Sequence, residues 1–272
     1  MRRTVTSRDG TRIAYWQSGQ GDQPLVLVHG STSDHTRWAP PMLDLFERHA
    51  TVCAIDRRGR GASGDSDGYA IEREFEDVAA VVDAVTNDAG VAVDVFGHSY
   101  GALCSLEAAL LTPDIRRLAL YEAPIASSGA PDLGDLLDVL EGLVADDRPE
   151  EATERFFREA VGSSDDELEL LKATDAWAVR VANVHTLLRE VRAIGTYTFD
   201  AARFRTMTVP ALVLLGGEQS PTVRDSVTSV AAALPNAVLT VLEGQRHMAM
   251  DTAPELLVAR LLEFFGCVSP AR

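Results

Sequence analysis

Residues 91–111 read Val-Ala-Val-Asp-Val-Phe-Gly-His-Ser-Tyr-Gly-Ala-Leu-Cys-Ser-Leu-Glu-Ala-Ala-Leu-Leu. The first six form an apolar run of strand length, and the last ten are small and apolar enough for a buried helix. Between them stands Gly97-His98-Ser99-Tyr100-Gly101, a Gly-x-Ser-x-Gly pattern in a strand–turn–helix context. So sharp a turn strains the backbone of its central residue, and the flanking glycines let strand and helix approach without Cβ clashes. The Ser99 hydroxyl is therefore expected above the end of a sheet, at a helix N-terminus that favours negative charge.

Outward from this turn the pattern repeats. Residues 5–7 and 12–17 flank the hairpin signal Asp9-Gly10. Residues 24–29 and 50–55 are short continuous apolar runs, as in strands buried on both faces. Residues 72–86 carry Phe75, Val78, Ala79, Val82 and Val85 at helical spacing, and 117–121 reads as another strand. The alternation resumes with strand 210–215, helix 223–234, strand 237–242 and helix 254–265. Strands alternating with helices imply βαβ units in a mainly parallel sheet.

The interval 125–205 differs. Leu133, Leu136, Leu137, Leu140, Leu143 and Val144 mark one amphipathic helix, and residues 150–161 mark a second, closed by Gly162. Ser164 with Glu167 gives a capping-box signature for a third. From Trp177 to Ile194 the apolar period continues up to Gly195. The expected division is a core of residues 1–124 and 206–272, with 125–205 an all-helical insertion covering the functional end of the sheet.

Composition narrows the function. With 25 basic and 41 acidic residues the formal charge is −16, which opposes nucleic acid and anionic membranes as partners. No apolar run is long enough to span a bilayer, and the N-terminus lacks the apolar stretch of a signal peptide. Three widely spaced cysteines, Cys53, Cys104 and Cys267, read as reduced residues of a cytoplasmic protein. No Cys/His cluster argues for a metal, and no organic cofactor is implied. A homo-oligomer is left open.

A serine hydroxyl needs a base within hydrogen-bond reach. Of six histidines, His247 in Gly244-Gln245-Arg246-His247-Met248 follows the last strand and shares its rim of the sheet with Ser99. A developing oxyanion needs two fixed N–H donors. One is expected from the backbone of Tyr100, the other from Ser31 in the His29-Gly30-Ser31-Thr32 loop. The histidine needs a carboxylate to fix its tautomer. Glu122, at the end of strand 117–121, is preferred, with Glu218 in Gly216-Gly217-Glu218-Gln219-Ser220-Pro221 as the other candidate. Trp38, soon after the Ser31 loop, Tyr100, next to Ser99, and Phe156, Phe157 and Trp177 in the insertion are candidate substrate-binding side chains.

At these residues the chain resembles the α/β-hydrolase family. His29-Gly30, the Asp56-Arg57-Arg58-Gly59-Arg60-Gly61-Ala62-Ser63 loop, the Gly97–Gly101 turn and the Gly244–His247 loop occur in family order and span nearly the whole chain. The resemblance implies a mostly parallel eight-stranded sheet flanked by helices, with a helical cap after the sixth strand. It also implies that residues 56–63 brace the rim. The family's usual acid position, before a proline, here holds Ser220, while some dehalogenases and macrolactone hydrolases look similar at Glu122 and carry their acid there. The implied activity is hydrolysis of a small to medium apolar ester or lactone. A cofactor-free perhydrolase or haloperoxidase-like enzyme, or a ligand receptor without turnover, are the alternatives.

Overall fold

In a computed structural model that describes residues 1–125 and 133–267, eight strands form one sheet. They are β1 (Arg2–Thr6), β2 (Arg12–Ser18), β3 (Pro24–Val28), β4 (Thr51–Asp56), β5 (Val93–His98), β6 (Ile115–Tyr121), β7 (Ala211–Gly216) and β8 (Ala237–Leu242). Their order is β1-β2-β4-β3-β5-β6-β7-β8. β2 pairs antiparallel with both β1 and β4, and every other pairing is parallel.

The period-two geometry of a strand distributes the continuous apolar runs over two faces. Val26, Val28, Val93, Val95, Leu118, Leu120, Val213 and Leu215 join one core. Leu25, Leu27, Phe96, Ala119, Tyr121, Leu212 and Leu214 join the other. Helices α1 (Met42–Glu47), α2 (Ile71–Ala89) and α3 (Tyr100–Ala108) lie among the early strands, with α1 on the second core and α2 and α3 on the first. Every residue of α3 is buried, so the sequence after Ser99 has no polar face to show.

Among the described residues, five α-helices separate β6 from β7: α4 (Gly134–Ala145), α5 (Pro149–Phe156), α6 (Asp165–Lys172), α7 (Ala176–Ala182) and α8 (Val184–Thr196). They share their own apolar cluster, which includes Leu140, Phe156, Phe157, Trp177 and Leu187. Residues 126–132 of the expected insertion lie outside the described residues. The Ser164–Glu167 capping box forms at α6, with bonds of 3.2 and 2.9 Å. Two local differences from the expectation appear. The second helix changes to a π-helical turn over Phe157–Val161 before Gly162 closes it. The long run ending near Gly195 is two helices, because Asn183 leaves the helical conformation and its carbonyl accepts from Thr186. After β7, α9 (Pro221–Ala233), α10 (Ala249–Thr252) and α11 (Pro254–Phe264) complete the fold. Among the described residues no helix is long and apolar enough to cross a membrane.

Candidate active site

Three loops at the C-terminal ends of parallel strands meet above the sheet. The first is the turn after β5. Ser99 has φ 54° and ψ −125°, a conformation that L-residues avoid. The neighbouring glycines are compelled by space. A Cβ at Gly97 would lie 2.6 Å from the Gly101 carbonyl oxygen, and one at Gly101 would lie 2.3 Å from that of Val28. Tyr100 is the first residue of α3, so its N–H has no acceptor within the helix.

The second loop follows β6. Glu122 is 3 % exposed and also has positive φ, 50°. Its Oε1 accepts from Gly216 N–H at 2.8 Å. Oε2 accepts from the Gln219 amide at 2.8 Å and lies 2.6 Å from His247 Nδ1. A carboxylate at that distance assigns the imidazole proton to Nδ1 and leaves the Nε2 lone pair free to take another. The alternative acid, Glu218, is solvent-exposed, its backbone N–H bound to the Gln245 carbonyl. Among the described residues, non-glycine positive φ occurs at Thr32, Ser99, Glu122 and Asp147. Ser99 and Glu122 belong to these loops, and Thr32 follows Ser31 in the loop after β3, the clustering expected of functional strain.

The third loop carries His247 and is tied down from beneath. His98 Nε2 donates to the His247 carbonyl at 3.0 Å, and the Tyr121 hydroxyl donates to the Arg246 carbonyl. Burial, with the Arg37 charge adding, pushes the His98 pKa well below 6.5, so its ring is neutral. His98 thus packs under the turn as a strut for the histidine loop.

Ser31, Ser99 and His247 line two adjoining spaces. One is a cavity of about 320 Å³ that also touches Ile125, Leu133, Val191 and Val223. The other is a narrow recess of about 20 Å³ shared with Gly30, Ser33, His98, Val161 and Arg180. Phe156 borders both, and Phe157 borders the recess.

Three sequence expectations need correction. Trp38 is fully buried in the second core with its ring 5.4 Å from Phe96. The short 3-10 turn at His35–Trp38 directs it down onto the sheet instead of up to Ser99. Trp177 packs in the apolar cluster of the helical layer, 6.1 Å from Phe157, with its indole N–H on Glu150. The Tyr100 side chain likewise faces the core. Its hydroxyl is 2.6 Å from that of Tyr69, and the Arg57 guanidinium lies 4.4 Å from its ring centroid.

Arg57 explains the bracing expected of residues 56–63. It donates to the Gly30 carbonyl at 3.0 Å, to both oxygens of Glu74 at 2.8 Å, and to Glu190 of α8 at 2.7 Å. Arg60 pairs with the same Glu190 oxygen. The loop after β3 is thereby fixed to α2 and to the helical layer. Asp34, His35 and Asp56 could gather a cation, but Asp56 is fully engaged by Trp16, His35 and Ala62. Against the desolvation that burial imposes, those bonds hold its pKa at about 2.

A model described as the alpha/beta hydrolase family matches residues 25–260. The chain belongs to that family. A crystal structure of an alpha/beta hydrolase from Sphaerobacter thermophilus is 40% identical with a TM-score of 0.82, covering 97% of this chain and 100% of that one. A non-heme chloroperoxidase of Streptomyces lividans is 30% identical over 96% of this chain and 98% of its own. An (E)-2-((N-methylformamido)methylene)succinate hydrolase of Acinetobacter baylyi is 26% identical over 93% and 94%. Membership and relatives together support a hydrolase in the general sense.

The sequence did not single out Gln219, Tyr121 or Arg180. Gln219 stands next to the Glu218 that was weighed, and its amide is what reaches Glu122.

Proposed function

We propose that this alpha/beta hydrolase cleaves a carboxylic ester or lactone through an acyl-enzyme on Ser99. The observation that carries the reading is the His247 Nδ1–Glu122 Oε2 pair at 2.6 Å, on the same cavity as Ser99. His247 Nε2 takes the Ser99 proton as Oγ attacks the carbonyl carbon, and the Tyr100 and Ser31 amides receive the oxyanion. The C–O bond to the leaving alcohol then breaks, with His247 returning the proton to that oxygen. Water, deprotonated by the same imidazole, attacks the acyl-enzyme and restores Ser99. Glu122 accepts from the His247 Nδ1–H and stabilises the imidazolium as it forms. The helical layer over the site acts as a lid that shapes the substrate pocket, with Phe156 and Phe157 in contact with substrate. The substrate is a small molecule and the protein acts in the cytoplasm.

A fluorophosphonate probe tests this directly. One adduct is expected on Ser99 and none on S99A, together with hydrolysis of 4-nitrophenyl esters. An unlabelled wild type that cleaves no activated ester would overturn the reading. The Streptomyces lividans relative favours a second activity at the same serine, perhydrolysis. It would register as halogenation that requires both hydrogen peroxide and acetate.

A further inference from the structure

Arg180, on α7, is 3 % exposed and lines the recess beside Ser99, Ser31 and His247. One face of its guanidinium rests on Phe157, 5.0 Å from the ring centroid, and Nη1 donates to Ser33 Oγ at 3.3 Å. Its Nε and Nη2 are buried and have no hydrogen-bond partner among the described residues. Those two atoms form one edge of the guanidinium, the edge suited to a two-bond grip on a carboxylate. Elsewhere in this chain the same edge is used in that way. Arg57 grips Glu74 through it at 2.8 Å twice, Arg58 grips Asp77 at 2.7 and 2.8 Å, and Arg116 grips Asp94.

Among the described residues, no carboxylate of the site fills this role for Arg180. Asp251 is held by Arg37 through two bonds of 3.0 and 2.5 Å, and Glu122 is committed to His247, Gln219 and Gly216. A buried cation lacking an anion is costly, and an edge of two unbonded donors adds to the cost. Burial, reinforced by Arg37 and opposed by Asp251, lowers the Arg180 pKa to about 9, so the side chain remains charged at neutral pH. The chain as a whole carries a formal charge of −16 and repels anions, so a single buried arginine at the nucleophile is a local exception.

We infer that Arg180 binds a carboxylate carried by the substrate, so that the preferred ligand is a carboxylate-bearing ester or lactone. This rests on the ester or lactone reading. The anionic group enters the narrow recess, and the apolar remainder occupies the larger cavity on the other side of Ser99. Arg180 thereby sets specificity and orients the reacting carbonyl.

The test compares mono-4-nitrophenyl glutarate with 4-nitrophenyl valerate, which differ by a terminal carboxylate in place of a methyl. Wild type is expected to prefer the glutarate by on the order of 10- to 100-fold in kcat/KM. In R180Q the ratio should fall close to one, and R180K, which keeps the charge but loses the fork, should fall between. A wild-type ratio near one, or an undiminished ratio in R180Q, overturns the assignment while ester hydrolysis stands. Failure to cleave either ester, with no labelling of Ser99, instead defeats the hydrolase reading. Should the variants not fold, inhibition of valerate hydrolysis in the wild type decides. Competitive inhibition by glutarate and not by glutaramide supports Arg180, and equal inhibition by both overturns it.

Discussion

Glu122 Oε2 and His247 Nδ1 are 2.6 Å apart although 125 positions separate them in the chain. Glu122 immediately follows β6 and His247 follows β8, with β7 between them in the sheet. The gap of one strand is bridged because the β7 loop contributes Gly216 N–H and the Gln219 amide to the same carboxylate. E122Q should therefore lower kcat by on the order of 10³- to 10⁴-fold, by analogy with loss of a triad aspartate. E218Q, altered at an exposed side chain, should stay near wild type. Steady-state hydrolysis of 4-nitrophenyl esters checks both.

Gln219 should matter less than Glu122 but in the same direction. Q219A removes one of the hydrogen bonds that hold the carboxylate, a neutral donor to a charged acceptor worth about 1.5–3 kcal/mol. A drop in kcat of roughly 10-fold with little change in KM is expected. A change confined to KM would assign Gln219 to the substrate instead.

The buried pairing of Glu190 with Arg57 and Arg60 fixes α8 to the loop that carries Ser31. E190A leaves Arg60 without its carboxylate and Arg57 with Glu74 alone. Breaking a buried pair from one side costs about 3–5 kcal/mol. Urea unfolding should show a loss of that size.

G101A drives a Cβ to 2.3 Å from the Val28 carbonyl and should destabilise by about 1–3 kcal/mol or prevent folding. G142A, in α4 with nothing within 4 Å of the added Cβ, should instead stabilise by about 0.5–1 kcal/mol. Urea midpoints of the two variants should move in opposite directions.

Acid should weaken the fold beginning near neutrality. Burial, with Arg57 and Arg60 adding, depresses the His29 pKa well below 6.5, and burial does the same for His98. Both rings regain their ordinary pKa on unfolding, so below pH 6.5 the unfolded chain binds more protons. Stability is therefore complete above about pH 6.5 and falls as pH descends toward the folded values, by about 1.4 kcal/mol per pH unit for each histidine. Unfolding midpoints between pH 7.5 and 5 give this slope, and H98N should reduce it.

The parallel sheet and the Ser99 turn were readable because both rest on local rules: strand-length apolar runs and glycines flanking a strained residue. Position of the site loops followed from the shared rim of parallel strands. Direction of a side chain did not. Trp38 lies seven residues past Ser31, yet a single 3-10 turn sends its ring to the opposite core from the one Tyr100 joins. Arg180 reads in sequence as the polar face of an amphipathic helix, since burial by a neighbouring layer leaves no periodic trace. The break at Asn183 was invisible because the apolar spacing runs on through it.

The backbone of Ser99, at φ 54° and ψ −125°, is comfortable for glycine and for no other residue. S99G should consequently be more resistant to urea than S99A, by about 1 kcal/mol, since alanine inherits the distortion and glycine does not. Selection for durability alone would erase the hydroxyl, and its retention marks a trade between endurance and turnover.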